Sequence, residues 1–112
     1  MWIHSTRALA SGLIALGLSA AALAQGPDLQ AGKAKAAAAC ALCHGQQGMA
    51  TMTGAPNLAG QAPVYLEEQL RHYRSGKRQH EIMSVIAKPL SDQDILNVVA
   101  WYSSRVVQVS SP

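Results

Sequence analysis

Phenylalanine is absent from this 112-residue chain, and only Trp2, Trp101, Tyr65, Tyr73 and Tyr102 carry aromatic rings. The side chains that usually fill a core by bulk are therefore scarce, and another source of apolar volume is needed. Charge is sparse as well, at 13% of residues, with nine basic and six acidic side chains scattered rather than striped. Without a basic stripe or interleaved aromatics, no nucleic-acid partner is expected. The apolar–polar alternation of a half-buried strand occurs nowhere, which removes β architectures. Two cysteines, Cys40 and Cys43, cannot build a disulfide framework. The length leaves room for one domain and no second core.

One long apolar stretch is present, Leu9 to Leu23, preceded by Arg7 and ending in Ala22-Leu23-Ala24. A basic residue, an apolar run and small residues in that order predict an export signal peptide over residues 1–24, cleaved after Ala24, and hence a periplasmic protein. A membrane-spanning helix wants about 20 strongly apolar residues, whereas this run leans on Ala and Gly. The expected single domain is residues 25–112, which leaves 88 residues with eight basic and six acidic side chains. Domains of this size often depend on a disulfide, a metal or a cofactor.

Helical signals follow one another along the remainder. Asp28 suits the cap of an Ala-rich helix running to Cys40. Gly45, Gly48, Gly54, Pro56, Asn57 and Gly60 mark a long irregular loop, and loops of that length usually wrap something. Pro63 suits the first turn of a second helix, with Leu66, Leu70 and Tyr73 on one face and Gly76 as its stop. Ile82 to Ile86 is a short apolar run stopped by Lys88-Pro89. Ser91 and Asp94 resemble a capping box for a last helix carrying Ile95, Val98, Val99 and Tyr102. The fold class is all-α, with three main helices and a long loop.

Cys40-Ala41-Leu42-Cys43-His44 carries the chemistry. On a helical turn Cys40, Cys43 and His44 stand at i, i+3 and i+4 and project from one side. Two thiols so placed can add across the two vinyl groups of a heme, and the adjacent imidazole can then reach iron; C-x-x-C-H is the attachment signature of heme c. A structural disulfide or a redox-active dithiol needs no His44, and the latter belongs between a strand and a helix. A structural zinc site needs four ligands, and His72 and His80 lie far along the chain. One covalent heme c is the expected cofactor, and its apolar plane would replace the missing rings.

The chain resembles the class I cytochromes c, in particular the short bacterial monoheme kind that also occurs duplicated in diheme cytochromes. Gly32, Cys40 to Gly45, Pro56-Asn57-Leu58-Ala59-Gly60-Gln61, and Met83 followed by Ala87-Lys88-Pro89-Leu90-Ser91 carry the resemblance. It implies that Gly32 lets the first helix cross the last closely, near Val99 and Tyr102. It implies too that the Pro56 carbonyl accepts the Nδ1–H of His44, and that Leu58 packs on the porphyrin.

Met49, Met52 and Met83 are all candidates for the second axial ligand, and reach alone does not separate them. Met49 and Met52 sit in the loop that His44 begins, whereas Met83 follows a whole helix and falls where the resembling family places its axial Met. Met83 is the expected ligand, and His72 and His80 are expected to be solvated surface residues. With His44 and Met83 on iron, the expected function is one-electron transfer in a periplasmic respiratory or dehydrogenase chain, and not enzymatic catalysis. The alternatives are a ligand-binding or peroxidatic heme protein, or a heme c subunit fixed in a larger oxidoreductase. The expected partners are a redox donor and acceptor, with membrane contact only through docking and the chain itself a monomer.

Overall fold

Asp28 starts the architecture by accepting the N–H groups of Gln30 and Ala31 at 2.8 and 3.0 Å, two donors that the helix itself leaves unpaired. In the computed structural model, which describes residues 25–111, this cap opens α1, Leu29–Ala39. The expected signal peptide, residues 1–24, lies outside the described residues. Cys40, at φ −122°, interrupts the helix, and the short α2, Ala41–His44, follows it directly. Pro63 opens α3, Pro63–Ser75, and Gly76 ends it in the left-handed conformation at φ 84°. The apolar run forms the short α4, Met83–Ala87. Ser91 and Asp94 close a complete capping box on α5, Asp92–Ser103. Among the described residues all regular structure is helical: the three expected main helices, with α2 and α4 as short additions.

The helices enclose a core of Ala36, Leu66, Ala87, Leu90, Ile95, Val98, Val99, Trp101 and Tyr102, with α5 as its main contributor. α1 lies across α5, α3 packs on α5, and α4 packs on α3. The approach of α1 to α5 depends on Gly32, where a Cβ would collide with the Asn97 carbonyl and stand 3.1 Å from Trp101 Cβ. The close crossing predicted for Gly32 is therefore present, but it falls at Asn97 and Trp101 rather than at Val99 and Tyr102. Those two residues turn into the core, on the face that the helical periodicity assigns them.

Asn97 is buried on the α1 side of α5. Its Oδ1 accepts the Asp28 N–H at 2.8 Å and the Gln93 amide at 2.9 Å, so the last helix holds the cap of the first. On the opposite side Asp92 accepts from Arg71 and Arg74 at 2.8 and 2.6 Å, and Arg74 also donates to the Leu90 carbonyl at 3.0 Å. These bonds fasten α3 to the start of α5. Glu67 pairs with Arg71 at 3.0 Å as an ordinary i,i+4 helix pair.

Candidate functional site

The turn from Cys40 to His44 is held by backbone bonds from the Cys43 and His44 N–H groups to the Cys40 carbonyl, at 3.3 and 3.0 Å. That turn sets Cys40, Cys43 and His44 on successive rungs of one helical edge. Both cysteines are free thiols and half-buried. Burial pushes the Cys40 thiol up to about 11, with nearby Lys35 pulling weakly the other way. A catalytic dithiol needs the opposite environment, one that favours thiolate.

His44 is buried at 7% exposure. Its Nδ1 donates to the Pro56 carbonyl at 2.8 Å, and since a carbonyl can only accept, the proton sits on Nδ1. In the neutral ring Nε2 then carries the lone pair, as a metal-ligating imidazole requires. The loop that delivers Pro56 is pinned at several points. Thr51 and Met52 donate backbone N–H groups to the Cys43 carbonyl at 2.9 and 3.2 Å, and Leu58 and Ala59 donate theirs to the Gly48 carbonyl at 2.7 and 3.0 Å. The Asn57 side chain accepts the Ala50 N–H at 2.7 Å.

α5 anchors the same loop from behind. Tyr102 donates its hydroxyl to the Gly45 carbonyl at 3.1 Å, and Trp101 donates Nε1 to the Gln46 carbonyl at 2.8 Å. Burial, followed by the neighbouring Cys40, raises the Tyr102 phenol well above its ordinary value, so it stays a donor. The Trp101 ring is flanked by the Arg105 guanidinium at 3.8 Å and the Lys33 ammonium at 5.8 Å. Trp101 and Tyr102 were legible as aromatic or core residues, but their hydrogen bonds across more than 50 residues of chain had no local sequence signal.

Leu58 is half-buried and packs against the core together with Cys40, Leu70 and Tyr73. These partly covered side chains offer apolar contact to a planar group. The three methionines differ. Met49 is 50% exposed and Met52 44% exposed, and the Met52 thioether accepts from the Cys43 thiol at 3.6 Å. Met83 is half-buried and opens α4. His72 faces Glu68 at 3.6 Å. His80 is exposed, yet its Nδ1 accepts the N–H groups of Ile82 and Met83 at 3.2 and 3.3 Å, a role that sequence inspection did not suggest. The residues present fit a heme: two cysteines on one turn with no disulfide between them, an imidazole whose Nδ1 is tied back to the Pro56 carbonyl, and half-buried apolar side chains on the same core.

The fold and these residues define a heme-bearing helical domain, and comparison with known proteins gives the family. Residues 27–101 match the family model described as cytochrome C oxidase, cbb3-type, subunit III. Cytochrome c4 of Pseudomonas aeruginosa is 41% identical over 101 residues, covering 90% of this chain and 49% of that protein. The thiosulfate dehydrogenase electron acceptor of Thiomonas intermedia is 43% identical over 68 residues, 60% of this chain and 31% of that one. The crystal structure of reduced recombinant cytochrome c4 from Pseudomonas stutzeri superimposes with a TM-score of 0.67 at 35% identity, over 74% of this chain and 48% of that one. The chain belongs to the class I c-type cytochromes, and its cofactor is heme c, one per domain. It spans about half the length of the cytochrome c4 relatives it matches. No helix among the described residues is long and apolar enough to cross a membrane.

Proposed function

We propose that this chain is a one-electron carrier and not an enzyme, holding heme c through thioethers to Cys40 and Cys43 with His44 and Met83 as axial ligands. The observation that carries this is the buried His44, whose Nδ1–H is tied to the Pro56 carbonyl at 2.8 Å. That bond fixes the tautomer, raises the basicity of Nε2 and keeps the ring from rotating. Pro56 and Leu58 belong to the site as orienting and covering residues. When bound, the heme supplies a reversible ferric–ferrous couple.

The protein's own part is to hold ligands and exclude water. With both His44 and Met83 holding the iron, no position would remain for peroxide or carbon monoxide, and His/Met ligation would favour a raised potential. Met83 is preferred to Met52 because the Met52 backbone N–H is tied to the Cys43 carbonyl at 3.2 Å, which keeps Met52 beside the turn that bears His44, whereas Met83 enters from α4 after the whole of α3. A thiol oxidoreductase is disfavoured by the half-buried Cys40, whose surroundings push its thiol upward rather than favouring thiolate.

Residues 1–24 serve as a cleaved export signal, which places the domain of residues 25–112 in the periplasm, where redox proteins are its donor and acceptor. A relative named as the electron acceptor of a thiosulfate dehydrogenase supports a role downstream of a dehydrogenase. The small positive charge of the exported chain is roughly offset by two heme propionates, so docking rests on local fit rather than on overall steering.

Mass spectrometry of the exported holoprotein tests attachment. One heme added and no titratable thiol is the expected result, whereas two free thiols and no heme would remove the proposal.

A further inference from the structure

His80 stands outside the set of heme residues, and its hydrogen bonds give it a role there. It begins the turn that leads into α4, Met83–Ala87. Its Nδ1 accepts the N–H of Ile82 at 3.2 Å and that of Met83 at 3.3 Å. In return, its own backbone N–H donates to Ser84 Oγ at 3.0 Å. This is the reciprocal logic of a capping box, with an imidazole in the place usually taken by Ser, Thr, Asp or Asn. Both bonds from Nδ1 are accepted ones, so the ring proton resides on Nε2.

The ring is also held from α3. Tyr73 meets it edge-on, with centroids 6.5 Å apart at an interplanar angle of 74°. On Tyr73 itself sits the Arg78 guanidinium, 4.7 Å from the ring centroid. A helix of five residues cannot hold its own first turn, because helix nucleation fixes several dihedrals for each hydrogen bond gained. The first residue of α4 therefore takes its backbone position from whatever captures its N–H.

We propose that His80 is the positioning residue for Met83: Nδ1 fixes the Met83 backbone, Tyr73 fixes the His80 ring, and the thioether is thereby presented to the heme iron at a set position. The proposal rests on Met83 being the axial ligand, and it assigns to His80 a task distinct from ligation. Loosening the cap lets Met83 leave iron more often without altering Cys40, Cys43 or His44.

The test uses the ferric holoprotein with three substitutions of His80. His80→Ala removes acceptor and ring together. His80→Phe keeps a ring for Tyr73 but has no acceptor. His80→Asn carries Oδ1 on the same side-chain branch as Nδ1 and is itself a preferred cap. The thioether-to-ferric charge-transfer band should weaken in the Ala and Phe variants. Their cyanide affinity should rise about fivefold, the factor to which loss of one ordinary side-chain cap corresponds. His80→Asn should restore both readings to those of the parent. A parent-like Phe variant would show that ring packing alone suffices and would overturn the proposal, as would failure of Asn to restore the band. Met83→Ala separates the two levels: retention of the band there removes the ligand assignment, whereas its loss there combined with a parent-like His80→Ala removes only the role of His80.

Discussion

Gly32 shows how much rests on a single missing methyl group. Its Cα faces the Asn97 carbonyl and Trp101 Cβ, so a side chain there meets backbone that cannot swing aside. Gly32→Ala should destabilise the holoprotein by about 1–3 kcal/mol, the usual cost of overpacking, offset slightly by better helix propensity. A denaturant midpoint equal to that of the parent would show that α1 and α5 can slide apart freely. Much at this scale was legible beforehand, because Cys40, Cys43 and His44 form a motif whose geometry is local to one turn. Asn97 was not, since Asp28 becomes its neighbour only after α1 and α5 cross, although the bond from Gln93 is a local i,i+4 contact on α5. The same holds for Trp101 and Tyr102, whose acceptors at Gln46 and Gly45 lie in a loop that shares no local pattern with α5.

The helices follow their end signals closely. Asp28, Pro63, Gly76 and the Ser91–Asp94 box each stand where a helix begins or ends, because caps act over a few residues and can be read from a few residues. α4 was visible as an apolar run, but the bonds from the Ile82 and Met83 N–H groups to the His80 imidazole ahead of it follow from no ordinary cap rule. The joint between α3 and α5 was likewise only half visible. Glu67–Arg71 follows from spacing, whereas Asp92 gathering both Arg71 and Arg74 is tertiary. The hydrogen bonds from Arg74 and Arg71 hold the Asp92 carboxyl below its ordinary value of 3.8. A carboxylate whose pKa is depressed by folding stabilises the native state above the ordinary value, and that contribution disappears as the pH falls through the folded-state value. Asp92→Asn should therefore lower the thermal midpoint at pH 7, with the gap to the parent shrinking once the pH drops below 3.8. A gap that stays constant into strong acid would show that the ion cluster contributes nothing; the exposed position of Asp92 makes even the neutral-pH effect small.

For the molecule as a whole, a shortage of aromatic residues and a loop fastened around one histidine belong to the same design. The chain has no Phe, and among the described residues nine buried apolar side chains form the core, with Leu58, Leu70 and Tyr73 packed against it but only half-covered; the apolar plane of heme c would supply cover of the kind they lack. With His44 and Met83 both holding the iron, as proposed, the protein would pass single electrons and bind no substrate there. Reductive titration of the purified holoprotein at neutral pH, followed by addition of carbon monoxide, tests that claim most directly. One electron taken up per chain and a ferrous spectrum unchanged by carbon monoxide is the result this account predicts, whereas immediate formation of a carbon monoxide complex would contradict it.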